Sequence, residues 1–211
     1  MSDKQKVAAI LPSRLESSRL PRKALLDICG LPMIVHVFKR CLLAKKLDEV
    51  YVATDSYEIK EVVEKHGGDV IMTSCNHQTG TDRIAEAAAG LNAEIIVNVQ
   101  GDEALVKPEH IDKVVAEMHD NPDVNVGILV NPFSKRNNPS DIKTVLTQDN
   151  DVMYFSRADI PSDARVSEPP LLKAYHIIPF RKAFLLEYAR WEKGELERIE
   201  FNEYLRILER G

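Results

Sequence analysis

Arg14, Arg19, Arg22 and Lys23 crowd the segment Pro12-Ser-Arg-Leu-Glu-Ser-Ser-Arg-Leu-Pro-Arg-Lys23, opposed by one carboxylate, Glu16. Such a segment either binds an anion or is a solvated basic loop. It lacks the glycines of a dinucleotide fingerprint and the Gly-Lys-Ser/Thr of a P-loop. Backbone amides alone therefore cannot cradle a phosphate, and guanidinium and ammonium groups must carry that charge. A second cluster, Gln100-Gly-Asp-Glu103, offers the carboxylate of Asp102 beside a glycine. Magnesium is held by one or two carboxylates plus phosphate oxygens and water, and Asp102 suits that role; the alternative is an Asp that caps a turn. The third cluster, His77-Gln-Thr-Gly-Thr-Asp-Arg83, contains a helix start at Gly80-Thr81 whose first amides could bind a polar ligand or be capped by Thr81. Tyr154-Phe-Ser-Arg157 and Leu196-Glu-x-x-Glu200-x-x-Glu203 carry little on their own, since Glu200 and Glu203 could equally be a solvated helix face. The histidines do not cluster, so no histidine-based triad or metal site is indicated.

These groups act together only if the chain brings them to one place. Val7–Leu11 reads as a short buried strand, Val50–Ala53 and Val70–Met72 as further strands, and Ile95–Val99 as the clearest of all. Between them lie helical stretches: Pro32 to about Lys46, Tyr57–His66 capped by Ser56 and stopped by Gly67-Gly68, and Thr81 to about Ala89. Strand and helix alternate through about the first 120 residues, the pattern of a mostly parallel sheet with helices on both faces. Ligands of such sheets sit beyond the carboxyl ends of the strands. The cationic segment and Gln100–Glu103 both follow strands directly. In the second half Val126–Val130, Lys143–Leu146, Val152–Phe155 and Leu171–Phe180 read as strands, Pro161–Pro170 as a loop, and Lys182–Glu192 and Glu200–Glu209 as helices.

The composition is globular: 211 residues, 44% hydrophobic and 29% charged. One domain with a small appended lobe suits this length. A net charge of −5 provides no global field for nucleic acid or an anionic membrane. Cys29, Cys41 and Cys75 show no zinc or disulfide spacing, which predicts reduced, buried thiols. No stretch has the length of a bilayer span, and the run Val7–Leu11 is too short for a signal peptide. These features predict a cytoplasmic protein.

In order along the chain, the segments resemble the 3-deoxy-D-manno-octulosonate (Kdo) cytidylyltransferases. The resemblance rests on Leu11-Pro-Ser-Arg14, Ser18-Arg-Leu-Pro-x-Lys23, Gly30-x-Pro-Met-Ile34, Val52-Ala-Thr-Asp55, His77–Arg83, Asn98–Glu103, Tyr154–Arg157 and Leu196-Glu-x-x-Glu200. It implies an α/β fold: a mostly parallel, Rossmann-like nucleotide-diphospho-sugar transferase sheet flanked by helices, with a small mixed dimerisation lobe. The single domain 1–211 would comprise a nucleotide-binding half, about 1–125, and an acceptor-binding and dimerisation portion, about 126–211. The implied reaction moves CMP from CTP onto an acidic sugar with release of pyrophosphate, in lipopolysaccharide biosynthesis, by a homodimer. By resemblance Arg14, Lys23 and Asp102 are catalytic, and Asp102 carries Mg2+. Leu11, Ser13, Arg14, Lys23, Gly80, Thr81, Asp82 and Arg83 bind nucleotide. Gln100, Arg157, Glu200 and Glu203 face the acceptor.

Three departures from the family pattern stand out. Ala174 replaces a histidine and Ile178 an aromatic hydroxyl in a strand that faces the sugar, and Tyr204 replaces an amide near the end. The sequence ends at Gly211, ahead of the segment that supplies a second metal carboxylate in the family. Apolar groups in place of hydrogen-bonding partners predict ordinary CTP use with poor turnover of Kdo and preference for a modified sugar acid.

Overall fold

The computed structural model describes residues 5–16 and 20–211; the expectations placed on Ser18, Arg19 and the first four residues lie outside the described residues. The chain divides into two compact units, one of residues 1–127 and 176–189, the other of 128–175 and 190–211.

The first unit is built on a five-stranded sheet. Its strands are β1 (Val7–Ser13), β4 (Glu49–Thr54), β5 (Asp69–Met72), β6 (Ile95–Val99) and β11 (Ile177–Arg181), in the order β11-β6-β1-β4-β5. Strands β1, β4, β5 and β6 run parallel, and β11 pairs antiparallel with β6. β1 and β6 are apolar runs because helices cover the sheet: α1 (Met33–Cys41), α2 (Tyr57–Lys65), α3 (Gly80–Ala89), α4 (Pro108–Asp120) and α5 (Lys182–Tyr188). A small hairpin, β2 (Asp27–Ile28) with β3 (Leu31–Pro32), precedes α1. Ser56 caps α2 as expected, its hydroxyl accepting from the Ile59 amide. Helix α3 is capped by Thr79, which accepts from the Asp82 amide, whereas Thr81 lies inside the helix and is fully buried. A cap must sit just outside the helix in extended backbone, and Thr79 does.

The second unit carries β7 (Leu129–Phe133), β8 (Lys143–Leu146), β9 (Val152–Ser156) and β10 (Leu171–Tyr175), ordered β7-β10-β8-β9, with α6 (Glu195–Glu200) and α7 (Leu205–Leu208). Every pairing is antiparallel, and strands and helices together make up this unit. The stretch Leu171–Phe180 is two strands in two sheets, divided at His176, and residues 176–189 thereby belong to the first unit rather than to a continuous second half. The strand expected at Val126–Val130 begins at Leu129; Val126 makes an isolated bridge to Phe180. The helix expected over Glu200–Glu209 is broken where Phe201 turns left-handed at φ 49°. Among the described residues no helix is long and apolar enough to cross a membrane.

Candidate active site

The strand order reverses direction about β1: the chain moves outward through β4 and β5, then returns to place β6 on β1's other side. Ligands of open α/β sheets bind at such a switch point. A cleft of about 260 Å³ opens there, lined by the segments after β1 and β6 and by the loop leading into α3. Pro12 is the point on which they converge. A Cβ at Gly101 would lie 2.7 Å from the Pro12 carbonyl oxygen, and one at Gly80 3.3 Å from the Pro12 ring. Gly101 is thus required for space, with only a hydrogen able to pass between the two strand ends.

Of the residues expected to bind nucleotide, Ser13, Arg14, Lys23, Gly80 and Arg83 line the cleft, as do Gln100 and Asp102. Leu11 is fully buried in β1, and Thr81 and Asp82 lie outside the described lining. The Lys23 ammonium donates to the Asp102 carboxylate, which joins the cationic segment to the β6 loop. The 3-10 turn Lys23–Leu25 that follows Arg22 carries this lysine, and the Arg22 amide closes the loop by donating to the Leu15 carbonyl at 3.0 Å. Arg22 itself turns away from the cleft, paired with Glu58.

His77, Gln78 and Thr79 also line the cleft. Sequence reasoning weighed their segment but did not place these three in the site, because the signal is a tertiary one. The Glu86 carboxylate, on α3, accepts from the Ser74 amide at 2.9 Å and from His77. These contacts, the His77 one foremost, hold the Glu86 carboxyl below its ordinary range. Arg83 is 4% exposed; it donates to the Thr73 hydroxyl at 2.5 Å and pairs with Asp55 at 3.2 Å.

Arg157, Glu200 and Glu203 belong to the second unit. The Arg157 guanidinium donates to the carbonyls of Glu200 (2.6 Å), Pro139 (2.7 Å) and Phe201 (2.9 Å). That engages three of the five donors a guanidinium carries. Glu200 accepts from the Ser156 hydroxyl and the Arg157 amide, both at 2.8 Å, so it is a latch across this unit and not a solvated face. Glu203 lies in the turn between α6 and α7, its carbonyl accepting from the Arg206 amide. Ala174 and Ile178 are each 1% exposed and Tyr204 is 7% exposed. Side chains so enclosed are used in packing, and the expectation that they reshape acceptor choice loses its support.

The thiol expectation changes too: Cys41 is buried, its pKa pushed up to about 12 by that burial, but Cys29 and Cys75 are exposed. Both stand in turns, where no core is available to cover them. Among the described residues no three His, Cys, Asp or Glu side chains gather to hold a metal. Asp102 at the cleft mouth nevertheless fits a magnesium ion that arrives with phosphate oxygens and water, since such an ion needs few protein carboxylates.

The chain and its fold have clear counterparts. Residues 8–211 match the cytidylyltransferase family model, and the chain belongs to that family. A 3-deoxy-manno-octulosonate cytidylyltransferase of Geobacter sulfurreducens is 41% identical over 97% of this chain and 88% of its own. An 8-amino-3,8-dideoxy-manno-octulosonate cytidylyltransferase of Shewanella frigidimarina is 38% identical, covering 98% and 87%. A solved CMP:2-keto-3-deoxy-manno-octonic acid synthetase complexed with CTP superposes with a TM-score of 0.94 at 36% identity, over 98% of this chain and 86% of that one.

Proposed function

We propose that this chain transfers CMP from CTP to Kdo and releases pyrophosphate. The observation that carries the proposal is the meeting of Arg14, Lys23 and Asp102 in one cleft at the β1/β6 switch point. Similarity to 3-deoxy-manno-octulosonate cytidylyltransferases supports Kdo as the acceptor, and the CTP complex of the structural neighbour supports the nucleotide.

Arg14 and Lys23 are assigned the triphosphate. Phosphoryl transfer requires mainly alignment and charge neutralisation, which fixed cations provide without reorganising at the moment of reaction. The anomeric hydroxyl of the acceptor attacks the α-phosphorus in line. Its oxygen–phosphorus bond forms as the bond to the bridging oxygen breaks, its proton passes to solvent water, and Arg14 and Lys23 stabilise the departing pyrophosphate. Lys23 must leave Asp102 to do this, which frees the carboxylate. When Mg2+ is bound, Asp102 would hold it, and the ion would neutralise phosphate charge. Gln100, on the same cleft wall, is assigned to the acceptor side. Arg157, three of whose five donors engage carbonyls of its own unit, is assigned to an acceptor carboxylate. We assign the reaction to the cytoplasm and to a homodimer.

The shared 3-deoxy-octulosonate skeleton leaves one competing acceptor, the 8-amino sugar named for the Shewanella relative. Pyrophosphate release from CTP with each sugar in turn tests the proposal. Kdo is expected to be the better substrate.

A further inference from the structure

Helix α3 grips the loop 73–79 at two points one turn apart. Arg83 reaches Thr73, the first residue after β5, and Asp55, the first after β4. Glu86 reaches the Ser74 amide and the His77 ring. The Thr73 amide in turn donates to the Thr54 carbonyl at 2.9 Å, so the two strand ends are also tied directly. The far end of this loop delivers His77, Gln78 and Thr79 to the cleft.

From this geometry we infer that Arg83 is a positioning residue, which fixes the loop 73–79 against the ends of β4 and β5 and so sets the nucleotide wall of the cleft. Arg83 lines the cleft, and the family resemblance places it among the residues expected to bind nucleotide. Yet both of its terminal nitrogens are directed at protein partners, and the group is 4% exposed. A buried charge that already has a carboxylate at 3.2 Å gains little by exchanging it for a ligand, and abandoning Asp55 would leave that carboxylate uncompensated. Arg83 therefore acts through Asp55 and Thr73. This inference rests on the cleft being the CTP site.

Asp55 allows a test by sign. If Arg83 contacted phosphate, Asp55→Asn would release the guanidinium and tighten CTP binding. If Arg83 positions the loop, Asp55→Asn loosens it and weakens CTP binding. CTP affinity of the full chain is measured by calorimetry for the wild type, Asp55→Asn, Thr73→Val, Arg83→Met and the Asp55→Asn/Arg83→Met double variant, with circular dichroism confirming that each is folded. We expect Asp55→Asn and Arg83→Met each to weaken CTP by about tenfold, and the double variant to be no worse than Arg83→Met, as members of one network are non-additive. Thr73→Val should weaken CTP in the same direction. Should Arg83→Met fail to fold, the other two single variants decide, because they leave the guanidinium in place. Tighter binding by Asp55→Asn overturns the inference in favour of direct contact. Unchanged affinity in folded variants with lowered melting temperature overturns it in favour of a role in stability alone. A wild type that binds no CTP overturns the nucleotide reading itself, and the inference with it.

Discussion

Lys23 and Asp102 form an ion pair, so changing either has two effects: its own role is lost and its partner is released. Lys23→Ala should lower turnover at saturating CTP by about two orders of magnitude, the scale of one lost transition-state charge contact. Lys23→Arg should restore little, because a planar fork does not replace a compact ammonium. Asp102→Asn should cut activity steeply and raise the magnesium concentration needed for half-maximal rate, with the fold intact by circular dichroism, since the carboxylate lies on the surface at a strand end. A Lys23→Ala enzyme with normal turnover would remove the lysine from the site. At this scale the sequence was informative where chemistry is concentrated along the chain: Arg14, Lys23 and Asp102 announce themselves by charge and by following strands. Arg83 and Glu86 were not legible as a clamp, because their partners Asp55, Thr73 and Ser74 are supplied by folding and not by spacing.

Among the elements, β6 and β8 run over the residues expected, and α2 starts at its expected cap, for in each the apolar period or cap is decided locally. The stretch 171–180 was not legible in the same way. It is uniformly strand-like, and the change of sheet at His176 depends on what each half pairs with. The break between α6 and α7 is likewise tertiary: it allows Arg206 to fork onto Glu197 with two 2.7 Å hydrogen bonds, both side chains being almost wholly buried. Arg206→Met should leave Glu197 charged and unpaired and cost about 3–5 kcal/mol of stability, measured by urea unfolding. The β8–β10 region adds a pH dependence. The Lys173 contact foremost holds the Asp141 carboxyl below its ordinary value, and the Asn137 amide does the same for Asp159. Both native values are depressed, so the stability they provide is complete above the ordinary Asp range and is lost as pH falls through the lowered values. Asp141→Asn should flatten the fall in urea midpoint between pH 5 and about pH 3.

For the whole molecule, the net charge of −5 provides no global field for nucleic acid or an anionic membrane, but composition could not reveal two units whose chain segments interleave. Met153, Ile199 and Phe201 stand exposed in the second unit, at 59%, 65% and 81%, and apolar side chains of that size left in water suit a subunit contact. Light scattering at micromolar concentration should therefore give twice the 23.8 kDa chain mass, and Phe201→Glu should shift it toward one. The central claim, that the cleft moves CMP from CTP to Kdo, is tested most directly by steady-state pyrophosphate release from CTP with magnesium, comparing Kdo, 8-amino-3,8-dideoxy-manno-octulosonate and no acceptor. The account predicts release that depends on Kdo, with kcat/KM on the order of 10⁴ M⁻¹s⁻¹ or above and higher than for the amino sugar. Release that is the same without acceptor, or that occurs with the amino sugar and not with Kdo, would contradict it.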